Sequence, residues 1–299
     1  MKRHPTDHGA GPVFQFRVWL RSKLGAHVER WAPEQSEYGV HRRFILCLLS
    51  FAFAVSADAL EITYSNVSPF SGSVGKHESI LLQGEIIPGD YDRLRQVIRK
   101  DQERFWRSTG FVLASPGGDI QEALRIARLV KGTYSGVWVG KQGSCVSACF
   151  FIFTAAVQRT AGDGTIGVHR PYVHPARLSS VSVREAEILQ RQALKLARAY
   201  LEDQDVPTNL IDKMFQQAST DVYWLSRAEV EEQLGRRPPW FDQLLIAKCG
   251  LDTSLERRYF TSGDVTLLPG LYLTEECANR LAAEEGRKFL SSELSAYTK

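Results

Sequence analysis

A serine, a histidine and two turns of bare backbone stand out in this 299-residue sequence as a set that could transfer an acyl group. Such a reaction needs a nucleophile, a base that takes its proton, and N–H donors aimed at the oxygen that becomes negative. Ser147 follows a turn at Gly140 to Ser144 and opens the apolar run Ala148 to Val157. The N–H of Ala148 comes directly after it, so attack by Ser147 would bring a carbonyl oxygen over that amide. Gly118 ends a second turn, Ser115-Pro116-Gly117-Gly118, 29 residues before Ser147. Without a side chain, the backbone at Gly118 can approach a ligand closely at a strand-to-helix turn. His169 lies 22 residues after Ser147, where the short apolar run Ile166 to Val168 ends. Taken singly, each feature has a plainer explanation: a turn, a helix cap, a satisfied histidine. Their order and spacing favour the chemical reading.

The elements that must position these residues alternate short β-rich runs with helical patterns, as in layered α/β folds. Ser79 to Ile87, Gly110 to Ala114, Val137 to Val139, Ile166 to Val168 and Val222 to Leu225 read as strands. Leu94, Val97 and Ile98 share one face of a helix that begins at Asp90, and Ile120, Ala123, Leu124, Ala127 and Val130 share one face of the next. Val181 to Leu201 predicts a long amphipathic helix, Pro207-Thr208 starts a shorter one, and Ser226 with Glu229 forms a capping box for a helix ending near Leu234-Gly235. In parallel sheets, sites gather at the carboxyl ends of the strands, which is where His169 and both turns fall. Arg236-Arg237-Pro238-Pro239 breaks the pattern. The expected organisation is therefore a leader over residues 1–59, a catalytic domain over 60–237 and a small C-terminal module over 238–299 with a helix from Thr274 onward.

Ala-Ser-Pro-Gly-Gly, then Gly-Ser-Cys-Val-Ser-Ala-Cys, then Gly-Val-His-Arg-Pro resembles the proteolytic subunit of Clp protease over about residues 78–237. The resemblance implies a Clp/crotonase-like fold, a parallel sheet layered with flanking helices. It implies Ser147 as nucleophile, His169 as base, and the amides of Gly118 and Ala148 as the oxyanion hole. It also implies Asp221, just before Val-Tyr-Trp-Leu-Ser226, as the acid that orients the histidine, although the spacing is one residue longer than in the Clp subunit. The Cys-x-Ser-Ala-Cys segment is similar to that of periplasmic Clp-like proteins.

Composition bounds the partners. Eight Lys/Arg face four Asp/Glu up to Ala57, which leaves 29 against 30 from Asp58 onward. A near-neutral folded part gives no electrostatic argument for a nucleic-acid partner. Arg42 and Arg43 precede the apolar run Phe44 to Ala57, the pattern of a secretory signal peptide with cleavage near Ala57 or Ala59. This 14-residue run is shorter than the roughly 20 residues of a spanning helix. The expectation is thus a periplasmic or secreted protein, acting on peptides or small esters, with no cofactor, metal or ATPase partner. Assembly into a homo-oligomer stays open.

After removal of Cys47, four cysteines remain, and Cys249 is expected to pair with Cys277 in the thin-cored tail. Cys145 and Cys149, at minus two and plus two from Ser147, are read first as small buried fillers. The sharper reading is a local disulfide that stiffens the turn. Three other functions compete: a coenzyme-A-binding crotonase-like lyase or hydratase, against which export counts; a Ser-Lys peptidase using Lys141 or Lys195; and a non-catalytic binding protein in which Ser147 merely caps a helix.

Overall fold

Apolar runs too short for helices become the strands of a mixed α/β fold. The computed structural model describes residues 59–66, 78–140, 142–162 and 164–296. The signal-peptide reading and Lys141 lie outside the described residues. Strand β1 (Glu61–Ser65) pairs antiparallel with β2 (Ser79–Gln83). Helices α1 (Asp90–Lys100) and α2 (Gln102–Arg107) then lead to β3 (Phe111–Ala114), which pairs parallel with β2. Helix α3 (Ile120–Gly132) crosses to β4 (Gly136–Val139), all four residues of which are buried, as expected for a parallel strand covered on both faces. Asp119 caps α3 by accepting from the Glu122 N–H at 2.9 Å.

The chain then makes the two-residue strand β5 (Cys145–Val146), the short helix α4 (Cys149–Thr154), β6 (Gln158–Ala161) and β7 (Ile166–Val168). Every residue of α4 is buried, with Phe150, Phe151 and Phe153 at the centre of the core. After α5 (Pro175–Leu178) come α6 (Val183–Asp203), opened by a capping box between Ser182 and Glu185, and α7 (Thr208–Gln216). Strand β8 (Tyr223–Leu225) precedes the Ser226-capped α8 (Arg227–Glu229), which continues as a π-helical turn over Val230–Leu234. The Glu229 carboxyl is held down to about 2, first by the Tyr223 hydroxyl and then by the Ser226 backbone N–H.

Two sheets result. The larger has the order β1-β2-β3-β4-β6, parallel but for its β1 edge, and the smaller has the order β5-β7-β8. In the smaller, β5 and β7 are parallel and β8 is antiparallel to β7. A parallel bridge between Ser115 and Cys145 joins the end of β3 to β5.

The C-terminal residues form α9 (Pro239–Cys249), α10 (Thr253–Ser262), a 3-10 turn at Val265–Leu267, and the 28-residue α11 (Leu268–Ser295). A disulfide ties Cys249 to Cys277. This region is not thin-cored in the way its sequence suggests. Leu290 and Leu294 enter the principal core, and Gly286 lies against Thr133 and Trp106. The last carbonyls of α11 are held from α1: Arg95 donates to Glu293 O, and Arg99 donates to Leu294 O at 2.7 Å. Leu290→Ala should therefore destabilise the whole domain by about 2–4 kcal/mol in denaturant titration. An unchanged midpoint would make α11 a separate appendage.

Candidate active site

Parallel pairing of β5 with β7 sets the site. The two strands stop side by side, so Ser147 and His169, each the first residue past its strand, emerge at the same edge. Cys145 N–H donates to Thr165 O at 2.8 Å, Val146 N–H to Ser115 O at 3.0 Å, and Ser147 N–H to Gly167 O at 3.0 Å. Ser147 then turns the chain into α4 with φ of 56°, a left-handed conformation that L residues other than glycine seldom adopt. Strained strand-to-helix elbows of this kind present a nucleophilic oxygen at the top of a sheet. The helix cap position belongs to Ala148, and among the described residues no hydrogen bond joins the Ser147 hydroxyl to the first turn of α4.

The Gly117-Gly118 turn presses against this elbow. Both glycines have positive φ, 101° and 139°. A Cβ on Gly117 would lie 2.6 Å from Val146 O and 2.7 Å from the Ser147 Cβ; one on Gly118 would lie 2.1 Å from Ile86 O. Ile86 N–H donates to Gly117 O at 2.7 Å, and Asp119 N–H donates to Ile86 O at 2.8 Å. In that parallel bridge the N–H of Gly118 itself faces away from Ile86, toward the other edge. Among the described residues, no backbone acceptor takes the N–H of Gly118 or of Ala148.

A cleft of about 320 Å³ lies over these groups, lined by Gly117, Gly118, Ser147 and His169, with Glu85, Pro116, Tyr172 and His174 forming the rest of its wall. His169 is buried and stacks near the Tyr172 ring, centroids 5.7 Å apart. Its Nδ1 lies 3.0 Å from Arg170 O. A carbonyl only accepts, so this contact assigns a proton to Nδ1, and in the neutral ring Nε2 is then the nitrogen with the lone pair. Among the described residues, no hydrogen bond joins Ser147 to His169; such contacts in ligand-free sites commonly tighten when substrate binds.

Asp221 is not bonded to the imidazole. It is exposed two residues ahead of β8, its N–H donates to Ala218 O at 3.1 Å, and neither a hydrogen bond nor an ion pair connects it to His169. The position a triad acid would take, at Nδ1, is held by Arg170 O instead. Lys195 is exposed on α6, and among the described residues no lysine lines the cleft. Cys145 and Cys149 are joined by a disulfide, which replaces the reading of two free fillers, and both are fully buried.

No protein-family model matches the chain, and neither does any curated protein. Solved structures similar to it include a serine-to-alanine mutant of the 1510-N membrane-bound stomatin-specific protease, 18% identical, with 58% of this chain and 84% of that one covered at a TM-score of 0.37. A lysine-to-alanine mutant of the same protease in complex with a substrate peptide is 16% identical, with 58% and 78% covered at a TM-score of 0.34.

Sequence reasoning missed Glu85 and His174, whose Oε1 and Nε2 lie 4.0 Å apart on the cleft wall. The His-Arg-Pro-Tyr-Val-His run from His169 to His174 offered a signal: four intervening residues of turn can return a second ring to the same edge. A second cavity of about 280 Å³ shares Gly118, Tyr172 and His174 and runs on between the start of α3 and α6, past Ile120, Leu189 and Leu196. Among the described residues, no three His, Cys, Asp or Glu side chains are grouped to hold a metal, and no helix is long and apolar enough to cross a membrane.

Proposed function

We propose that the chain is an exported Clp/crotonase-like serine peptidase that cleaves peptides or unfolded segments without ATP, through an acyl-enzyme on Ser147. One observation carries the reading. Ser147 sits at positive φ with its hydroxyl not bonded to the first turn of α4, in one cleft with Gly118 and with a histidine whose Nδ1 faces a carbonyl, and among the described residues no backbone acceptor takes the N–H of Gly118 or of the adjoining Ala148. A serine that served only to start a helix would spend its oxygen on the first-turn N–H groups.

In the proposed reaction, His169 Nε2 takes the Ser147 proton as Oγ attacks the carbonyl. The N–H groups of Gly118 and Ala148 receive the oxyanion, and the imidazolium returns its proton to the leaving group. Water then repeats the sequence on the ester. The base is oriented by Arg170 O, making the unit a Ser–His dyad with Asp221 outside it. The cavity past Ile120 and Leu196 adjoins Gly118 and gives room for an apolar side chain of the substrate. No cofactor enters any step.

Protein recovered from a periplasmic fraction should begin near Asp58 or Leu60 and release soluble peptides from unfolded casein with no nucleotide added. Ser147→Ala should release none. An intact N-terminus on cytoplasmic material would remove the export claim, and casein left uncut by the processed protein would remove the peptidase claim.

A further inference from the structure

We infer that the Cys145–Cys149 disulfide is a positioning element of the nucleophile, so that acyl transfer at Ser147 depends on the oxidation state of this pair. The inference rests on the function proposed above.

Ser147 adopts a left-handed backbone conformation that is strained for an L residue, φ of 56°. Something must hold it there. In nucleophile elbows of the G-x-S-x-G type, the residues at minus two and plus two are glycines. Here those positions are Cys145 and Cys149, and they are bonded to each other with their Cα atoms 5.2 Å apart. The first is anchored in the sheet, by its N–H to Thr165 O and by its bridge to Ser115. The second is the first residue of α4. The bond therefore ties strand to helix across the nucleophile and encloses Ala148, whose N–H is one of the two oxyanion donors.

Stability alone does not account for a bridge at this place. In the chain-entropy account, a disulfide restricts the unfolded chain least when its loop is shortest. Only Val146, Ser147 and Ala148 lie between these cysteines. Its location is the stronger explanation. Both side chains are 0% exposed, in a core with no slack for displaced atoms. Reduction replaces one bonded sulfur pair with two thiols that must move apart, and the residue carried between them is Ser147.

Closure needs an external disulfide as oxidant. One cysteine thiolate attacks it, forming a mixed disulfide and expelling a thiolate. The second cysteine thiolate attacks the mixed disulfide, forming the Cys145–Cys149 bond and expelling the other half. The pair loses two electrons and two protons, and the oxidant leaves as two thiols. A chain held in a reducing compartment thus stays inactive, and the same chain becomes competent where disulfides form.

The test compares the wild type with Cys145→Ala/Cys149→Ala and Cys249→Ala/Cys277→Ala, with thiol states verified by alkylation and mass. It reads kcat and KM on a small ester, amide exchange over residues 144–150, and Tm. Reducing the wild type should lower kcat by about 10²-fold with KM nearly unchanged, the size of effect a small misplacement of reacting groups produces. Exchange at the Ser147 N–H should rise, and oxidised glutathione should reverse both changes. The Cys249→Ala/Cys277→Ala protein should respond in the same way. The Cys145→Ala/Cys149→Ala protein should start low and ignore reductant. Full kcat in that variant, or a loss that follows Cys249–Cys277, would overturn the inference. If the oxidised wild type shows no Ser147-dependent turnover, the hydrolase reading falls by itself. Exchange then decides the positioning role: lost protection at Ser147 on reduction supports it, and unchanged protection overturns it.

Discussion

His169→Ala is expected to lower turnover by at least about 10⁴-fold while leaving the fold intact, because a serine hydroxyl at neutral pH is a poor nucleophile without a base. The imidazole is placed for that role by its position past β7 and by the bond from Nδ1 to Arg170 O, which leaves Nε2 as the acceptor. Asp221→Asn should by contrast change kcat/KM little, since the carboxylate is exposed and no hydrogen bond or ion pair among the described residues joins it to the ring. Steady-state kinetics on an ester, with circular dichroism as the folding control, separates the two. A fall of about 10⁴-fold in Asp221→Asn is what a tautomer-setting acid produces, and it would return Asp221 to a triad.

Gly118→Ala carries the second large effect. Its φ of 139° is hostile to any Cβ, and that carbon would lie 2.1 Å from Ile86 O and 2.8 Å from Ile86 N. Both contacts are backbone, so no side chain can swing aside. Either the turn moves, taking the Gly118 N–H with it, or the bridge to Ile86 breaks. The expected result is a loss of about 10²- to 10³-fold in kcat, as for removal of one oxyanion donor, and of about 2–4 kcal/mol in stability from strain at a special backbone position. Gly164→Ala is the control for positive φ without a clash, because φ there is 63° and an added Cβ would meet no atom within 4 Å. Wild-type kinetics in Gly118→Ala would remove this amide from the site.

Much of the fold is legible because burial leaves a strong pattern. Strands β3, β4 and β7 are short, apolar and fully or nearly fully buried, and α3 keeps its apolar residues on one face. What was not legible lacks such a signal. β5 is two residues long and β6 is the polar Gln-Arg-Thr-Ala, held instead by pairing to β4. Arg159 in β6 is buried, which pulls the pKa of its guanidinium down to about 10, and it donates to Thr154 O, Leu234 O and Gly235 O. No periodicity announces such a residue. The role of α11 was hidden for a different reason: Leu290 and Leu294 count as core only once α1 and α3 are known to lie beneath them.

The site divides the same way. Ser147, His169, Gly117 and Gly118 were visible as residue types at spacings that a parallel sheet brings together. The orientation of His169 by a neighbouring carbonyl was not, because any residue could supply that oxygen. The spacing of Cys145 and Cys149 allowed a disulfide without requiring one, and the choice depends on where strand and helix set their Cα atoms.

The most direct test is labelling of the oxidised protein with a fluorophosphonate probe, followed by peptide mapping. A base-activated serine beside oxyanion donors forms the covalent adduct, whereas an ordinary serine hydroxyl does not. The account predicts one adduct per chain, on Ser147, abolished in Ser147→Ala and nearly so in His169→Ala. An unlabelled wild-type protein with its Cys145–Cys149 bond intact, or an adduct on any other serine, would contradict it.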